Sequence, residues 1–194
     1  QIAARAGSQV HLFDVNAAAV QQAHAAVLAQ WDKLLEKGRI DATQHQAYKA
    51  SLQPAATLAD LAPCDLVIEA AIERLDIERK PFADLEAVVG PEAVLATNTS
   101  SLSVTAIGAG LKRPQRLAGM HFFNPVPLMK VVEVVAGLKT DPAVCATLSA
   151  YARDLGHTPV QAQDTPGFIV NHAGRGYGTE ALRILGEGVA DVAT

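Results

Sequence analysis

Cysteine is scarce in this sequence, which has only Cys64 and Cys145 among 194 residues. The two lie far apart and neither belongs to a CxxC pair, so the sequence predicts neither a disulfide framework nor a cysteine-based metal site. We therefore expect a reducing compartment, the cytoplasm. Histidine patterns such as HxH or HExxH are also missing, and we predict no bound metal.

The sequence also lacks an excess of one charge and lacks long apolar runs. It has 16 Lys and Arg against 20 Asp and Glu, so nothing in its charge favours a nucleic-acid partner. No apolar run approaches the roughly 20 residues that span a bilayer, and we expect no membrane partner. Hydrophobic residues make up 49% of the chain, which is enough for a large buried core.

Short apolar strands alternate with helices along the chain. We predict strands at 10–13, 65–70, 94–97, 117–120, 131–135 and 158–160, and helices at 17–37, 75–89, from 103, at 142–155 and at 168–187. The pattern at 41–44 predicts a capping box that opens one more helix. This alternation predicts an α/β fold with a doubly wound, mostly parallel sheet of the Rossmann type. Residues 1–7 read as the end of a helix, and both ends of the sequence look cut.

Asp14 follows the first predicted strand, and ligands of doubly wound sheets bind beyond the carboxyl ends of strands. A dinucleotide-binding fold places there the acid that binds the adenine ribose, about 20 residues after a Gly-rich phosphate loop. That loop would precede Gln1. No Arg or Lys follows Asp14 directly, which favours NAD over NADP. An Asp before a helix is often only a turn residue, so this indication is weak alone.

His121 ends an apolar strand just before the turn Asn124-Pro125-Val126-Pro127, and Glu133 lies within the next run of β-branched residues. A buried carboxylate is costly unless it is paired, and His121 is the obvious partner. Such a pair can act as a general base, because the carboxylate fixes the imidazole tautomer. The alternative is a structural histidine, which is our interpretation of the other five.

Two polar segments stand beside apolar elements. The turn 98–102 (Asn-Thr-Ser-Ser-Leu) lies between a strand and a helix, where a serine could simply cap the helix. Asn171 follows the turn Asp164-Thr165-Pro166-Gly167 in the first turn of a helix, where an Asn often only bonds the backbone. Both segments could instead point polar groups into a cleft.

Together these segments resemble the L-3-hydroxyacyl-CoA dehydrogenase family. The matching segments are Asp14, DLVIEAAIE at 65–73, TNTSSL at 97–102, HFFNPVPLMKVVE at 121–133 and DTPGFIVN at 164–171. The resemblance implies a Rossmann-type NAD-binding domain at 1–165 and, at 166–194, the first helix of an all-α domain through which the family forms homodimers. The more Gly-rich run at 172–178 suggests a branch handling polar or dicarboxylic acyl groups, such as that of phenylacetate breakdown.

The resemblance also implies roles for single residues. His121 would be the base, Glu133 its orienting partner, and Ser100 and Asn171 would hold the substrate oxygen. The expected contacts with NAD come from Asp14, Glu73, Ser100 and Asn124, and those with the CoA phosphates from Lys33 and Lys37. The family usually has a lysine that contacts the cofactor where this sequence has Glu78.

The expected reaction is NAD-dependent oxidation of a (3S)-3-hydroxyacyl-CoA to the 3-ketoacyl-CoA. One alternative is a dehydrogenase for a free 3-hydroxy acid on the same fold. Relatives of 6-phosphogluconate dehydrogenase use a lysine as the acid–base group, and no lysine lies in the Asn98 or Asn171 motifs. Another alternative is a non-catalytic relative of the lens-crystallin kind, since fold does not fix function.

Overall fold

The computed structural model describes residues 1–70 and 75–193, and for residues 75–80 it describes the backbone alone. The strands are β1 (Val10–Leu12), β2 (Leu52–Pro54), β3 (Leu66–Glu69), β4 (Val94–Thr97), β5 (Leu117–Phe122), β6 (Val131–Ala136) and β7 (Thr158–Gln163). The helices are α1 (Ile2–Arg5), α2 (Ala17–Glu36), α3 (Ala42–Ala50), α4 (Leu75–Val88), α5 (Val104–Gly108), α6 (Pro142–Asp154) and α7 (Val170–Gly186).

The described strands form two sheets. β1 pairs in parallel with β2, and β3 to β7 form a five-stranded sheet in chain order. Pairing is parallel from β3 to β5 and between β6 and β7, whereas β5 and β6 are antiparallel. The prediction of a mostly parallel sheet in an α/β fold is therefore confirmed, with one antiparallel step.

Helices cover both faces of the five-stranded sheet. On one face Phe82 and Leu85 of α4 and Ile107 of α5 pack on Leu95 and Leu117. On the other face, side chains of α6 pack on alternate strand residues, among them Ala96, Ala118, Met120, Val132 and Val134. The central strands β4, β5 and β6 are thus buried on both sides, which explains their nearly continuous apolar sequences.

Local side-chain caps start the helices close to where the sequence predicts. Asn16 accepts a hydrogen bond from the amide of Ala18, and Asp41 and Gln44 form the predicted capping box. Asp141 caps α6 in the same way, next to Pro142 at the first helical position. Within the described chain, none of the helices combines the length and apolar character that crossing a membrane requires.

Close packing around the start of α5 depends on Gly119 of β5. A Cβ at Gly119 would lie 2.9 Å from Cβ of Val135 and 3.2 Å from Cγ2 of Val104. A Cβ at Gly137 would likewise meet the backbone amide of Thr105 at 3.1 Å. The two glycines therefore allow the N-terminus of α5 to rest directly on the β5–β6 pair.

Two features differ from the sequence-based prediction. β2 is absent from it, because Leu52–Pro54 is a three-residue strand that ends in proline and shows no periodicity. The second feature is that β6 runs antiparallel to β5, which its apolar sequence does not indicate. The short connection at 123–130 leaves little room for the crossover that parallel strands need.

Candidate active site at the end of β5

His121 and Glu133 are direct partners in the β5–β6 register. Nδ1 of His121 lies 2.7 Å from Oε2 of Glu133, with His121 5% exposed and Glu133 fully buried. A carboxylate only accepts, so Nδ1 carries the proton and donates it, which leaves the lone pair on Nε2. Among the described residues Nε2 has no hydrogen-bond partner.

The second oxygen of Glu133 holds the start of α7. Oε1 accepts hydrogen bonds from the amides of Ile169 and Val170, both at 2.9 Å. Amides at a helix N-terminus have no partner within the helix, and a negative charge there is favoured by the helix dipole. Glu133 therefore joins His121 to the helix that carries Asn171. The apolar sequence around Glu133 gave no indication of this contact.

Aromatic rings enclose the imidazole. The ring centroid of Phe123 lies 4.5 Å from that of His121, and the ring of Phe168 approaches edge-on at 5.6 Å. Phe168 has a φ of 46°, a left-handed conformation that is uncommon for a bulky residue. This conformation, next to Gly167, turns the chain sharply into α7 and places the buried Phe168 ring against His121.

The turn after β4 lies beside this pair. Oδ1 of Asn98 accepts a hydrogen bond of 2.9 Å from the amide of Phe122, the residue after His121. Thr97 donates to the buried Glu69 and accepts from the amide of Thr99, whose hydroxyl accepts from the amides of Ser101 and Leu102. Ser100 is half-buried within this turn.

The cap of α5 comes from the residue that follows this turn, whereas the alternative interpretation of the turn is a cap by one of its own serines. Ser103 caps α5 by accepting from the amide of Ala106, and it donates to Asp164. Asp164 also accepts from the amides of Val104 and Thr105, each at 2.8 Å. Burial raises the pKa of Asp164, but the hydrogen bonds from Thr105, Ser103 and Val104 outweigh it and hold the pKa below its usual value. Asp164 thus fastens the turn before α7 to α5.

Asn171 is half-buried at the second position of α7. Its side-chain amide makes no hydrogen bond with any part of the chain that the structure describes. The interpretation that Asn171 only bonds local backbone therefore finds no support, and the amide is available to another molecule.

The residues expected to bind NAD lie at strand ends. Asp14 is exposed after β1, and its Oδ1 accepts from the amide of Asn16 in a local turn. Asn124 is exposed two residues after β5 and precedes Pro125 in a cis peptide bond. Glu73 lies outside the described residues, and so does the side chain of Glu78.

Lys33 and Lys37, the residues expected near CoA, are both exposed, the first in the last turn of α2 and the second directly after this helix. The core beneath α2 is built around the buried Trp31, Ile40 and Leu52, separately from the two clusters that flank the five-stranded sheet. No direct contact between these lysines and His121 is found among the described residues.

Three other histidines make structural hydrogen bonds within the chain, as predicted. His45 contacts Asp32 at 2.6 Å, His24 contacts the carbonyl oxygen of Leu52, and His157 contacts the carbonyl oxygens of Leu155 and Val126. Across residues 1–70 and 75–193, no group of three or more His, Cys, Asp or Glu side chains is placed to hold a metal ion.

Comparison with known proteins identifies the family. The family described as "3-hydroxyacyl-CoA dehydrogenase, NAD binding domain" matches residues 1–165. The chain is 44% identical over 190 residues to 3-hydroxyadipyl-CoA dehydrogenase of Escherichia coli, covering 98% of this chain and 40% of that protein. It is 38% identical to 3-hydroxybutyryl-CoA dehydrogenase of Bradyrhizobium diazoefficiens, covering 98% of this chain and 65% of the relative.

Solved structures agree with the sequence comparison. A crystal structure of (S)-3-hydroxybutyryl-CoA dehydrogenase from Ralstonia eutropha superposes with a TM-score of 0.93 at 36% identity, covering 99% of this chain and 68% of that one. A crystal structure of 3-hydroxybutyryl-CoA dehydrogenase from Escherichia coli gives a TM-score of 0.94 at 44% identity, covering 97% of this chain and 40% of that one. The chain thus spans only part of the length of these relatives. It belongs to the 3-hydroxyacyl-CoA dehydrogenase family.

Proposed function

We propose that this chain carries the NAD-binding region and the catalytic pair of an NAD-dependent (3S)-3-hydroxyacyl-CoA dehydrogenase. The observation that carries the proposal is the buried His121–Glu133 pair, whose Nε2 has no partner among the described residues. In a member of this family, a histidine held in this way is equipped to take the proton of a hydroxyl group.

His121 would act through Nε2, because Nδ1 is committed to Glu133. When Nε2 takes the hydroxyl proton the imidazole becomes an imidazolium, and the adjacent carboxylate stabilises that charge. Bound NAD would supply the acceptor for the hydride that leaves the carbon carrying the hydroxyl. Ser100 and Asn171 would donate hydrogen bonds to the substrate oxygen and steady the charge that develops on it.

The described residues fit a dinucleotide. One oxygen of the Asp14 carboxylate accepts the Asn16 amide, and Oδ2 makes no hydrogen bond or ion pair with the described chain, so it can accept from a ribose hydroxyl. A negative charge at this place repels a 2′-phosphate, which favours NAD over NADP. Asn124, Ser100 and Glu73 complete the set of residues proposed to contact the cofactor.

The substrate is proposed to be a CoA thioester and not a free hydroxy acid. A free acid carries a carboxylate close to the reacting carbon, and such sites usually supply an Arg or Lys for it. The side chains against His121 are the rings of Phe123 and Phe168 instead. Lys33 and Lys37 would meet phosphates at the distant end of the substrate.

Arg175 favours an acyl group with a second carboxylate. It follows Asn171 by four residues and therefore lies one turn further along the same face of α7. Its guanidinium lies beside Gly167, where Nη2 would be 3.5 Å from an added Cβ, and it has no ion pair within the described chain. The 44% identical relative from Escherichia coli is named for 3-hydroxyadipyl-CoA, a dicarboxylic thioester. We propose that Arg175 binds the distal carboxylate of such a substrate.

The wider assembly is part of the same proposal. Residues 1–165 would form the cofactor domain, and residues 166–194 would begin a helical domain that forms a homodimer. α7 has no buried residue and exposes Tyr177 and Leu182, which supports its packing against further protein. The proposed location is the cytoplasm.

The test uses the complete protein with NADH as reductant. Acetoacetyl-CoA should be reduced, and free acetoacetate should be reduced far more slowly. Comparable rates on both would defeat the thioester proposal, and failure on both would defeat the assigned activity.

The dicarboxylic proposal is tested separately with Arg175→Leu. This variant should lower kcat/KM for 3-hydroxyadipyl-CoA about 10-fold or more and leave that for 3-hydroxybutyryl-CoA unchanged, because only the first has a charge to bind. Arg183→Leu is the matched control, since Arg183 is already paired with Glu180 and Glu187 on the same helix. Equal effects of the two variants would remove Arg175 from the substrate site.

A further inference from the structure

Asn98 connects the two segments that carry proposed active-site groups. It is the first residue after β4 and lies two positions before Ser100. Its Oδ1 accepts the amide of Phe122, the last residue of β5 and the neighbour of His121. A single side chain therefore joins the serine turn to the histidine strand.

The turn itself is braced on the side away from β5. Thr97 is fully buried and donates to the carboxylate of Glu69 at the end of β3. Thr99 is 4% exposed and accepts amides from Ser101 and Leu102, which fixes the backbone around Ser100. With the turn held internally, the Asn98 bond sets where the whole turn sits relative to β5.

We propose that Asn98 is a positioning residue, which holds the hydroxyl of Ser100 in a fixed position relative to Nε2 of His121. The inference rests on the proposed function, in which both groups meet the same substrate oxygen. A misplacement of about 1 Å in such an arrangement can lower the rate 10²-fold. The side-chain oxygen of Asn98 is the atom that makes this contact, because the group that faces it is an N–H donor.

The test compares three variants of the complete protein. Asn98→Ala removes the acceptor and should lower kcat about 10- to 100-fold, because the turn that carries Ser100 loses its fixed place beside β5. Asn98→Asp keeps an acceptor oxygen and should recover most of the lost kcat. Hydrogen–deuterium exchange at the amide of Phe122 should be faster in Asn98→Ala than in the wild type and should slow again in Asn98→Asp.

Thr140→Ala is the matched structural control. Thr140 makes a comparable connection at the opposite end of β5, where its hydroxyl accepts from the amide of Gly137 and donates to the carbonyl of Leu117. Its loss should lower the Tm as much as Asn98→Ala does, while kcat stays within about twofold of the wild type, because its hydrogen bonds lie at the opposite end of β5 from His121 and contribute to stability alone.

Several results would overturn the inference. They are a wild-type kcat in Asn98→Ala, an equal fall of kcat in Thr140→Ala, and no recovery in Asn98→Asp. The exchange measurement needs no turnover, so an unchanged rate at Phe122 in Asn98→Ala overturns the positioning role even if the proposed activity is wrong. If the wild type does not reduce acetoacetyl-CoA although its Phe122 amide exchanges slowly, the result counts against the proposed function instead.

Discussion

Glu133 lies opposite His121 in the antiparallel pair and holds its Nδ1 at 2.7 Å, while the other carboxylate oxygen accepts two amides from the start of α7. Three N–H donors thus converge on one fully buried carboxylate. This arrangement satisfies a charge that would otherwise be very costly to bury. Because all three groups that face the carboxylate are donors, a side chain at position 133 that itself donates a hydrogen bond does not fit this arrangement.

Glu133→Gln should therefore impair both stability and turnover. A glutamine has one oxygen, and if that oxygen keeps the amides of Ile169 and Val170, its NH₂ faces Nδ1 of His121. Nδ1 must then accept, which moves the ring proton to Nε2 and removes the base. We expect a loss of about 10²–10⁴-fold in kcat and of about 1–3 kcal/mol in unfolding free energy.

The measurements for Glu133→Gln are steady-state kinetics, urea unfolding and the ¹⁵N NMR shifts of the His121 ring, which distinguish the two tautomers. Glu180→Gln on the exposed part of α7 serves as the control and should behave as the wild type. Retention of the Nδ1–H tautomer in Glu133→Gln would refute the argument.

His121→Gln should abolish proton transfer and leave the fold intact, because the glutamine amide can still donate to Glu133. The expected fall in kcat is about 10²–10⁴-fold, the usual contribution of a general base. NADH affinity, measured by fluorescence titration, should stay close to that of the wild type. A fall of kcat smaller than tenfold would rule out His121 as the base.

Asp164→Asn should destabilise the protein at neutral pH by about 1 kcal/mol, because an amide nitrogen cannot accept the bonds from Ser103 and Thr105 that one oxygen of this partly exposed carboxylate accepts. The pKa of Asp164 is lowered in the folded state, because hydrogen bonds from Thr105, Ser103 and Val104 outweigh the effect of burial. Its charge therefore stabilises the fold above the unfolded-state pKa, and this stabilisation is lost as the pH falls through the folded-state pKa.

Urea unfolding should accordingly give different free energies of unfolding for the wild type and Asp164→Asn at neutral pH, and the two values should converge at acidic pH. Asp154→Asn makes the same charge change at the exposed end of α6 and is the control. A difference between the wild type and Asp164→Asn that persists unchanged in acid would mean that shape, and not charge, is what matters at this position.

Gly119→Ala should cost about 1–3 kcal/mol, because the added Cβ meets Cβ of Val135 at 2.9 Å in a packed interior. Thermal unfolding measures the loss. The control is Gly176→Ala, where a Cβ would meet no heavy atom within 4 Å and where alanine favours the helix. Equal Tm values for the two variants would show that β5 and β6 move apart freely.

Much of the fold is predictable because its determinants are local. Asn16, Asp41 and Asp141 each mark a helix start through a contact with residues only a few positions away. The apolar runs of β4 to β6 are buried on both faces and so stand out from the helices. β2 is too short for such a pattern and is defined by its pairing with β1.

The geometry around the site is predictable only in part. His121 and Glu133 lie in neighbouring runs of the sequence, so their contact can be inferred. The contacts of Glu133 with Ile169 and of Asp164 with Val104 join segments far apart in the chain. Nothing in the local sequence specifies such partners, and the same holds for the bond from Asn98 to Phe122. They arise from the way the strands and helices pack.

The pairing of β5 with β6 has a consequence for the order of folding. The connection at 123–130 closes a short loop, which costs little chain entropy and allows a hairpin to form on a timescale of roughly microseconds. His121 and Glu133 meet within that hairpin, whereas Ile169 reaches Glu133 across 36 residues of chain. A slip of one residue would turn Glu133 to the opposite face. Pairing in the correct register can thus seat Glu133 against His121 before the first residues of α7 bind to the same carboxylate.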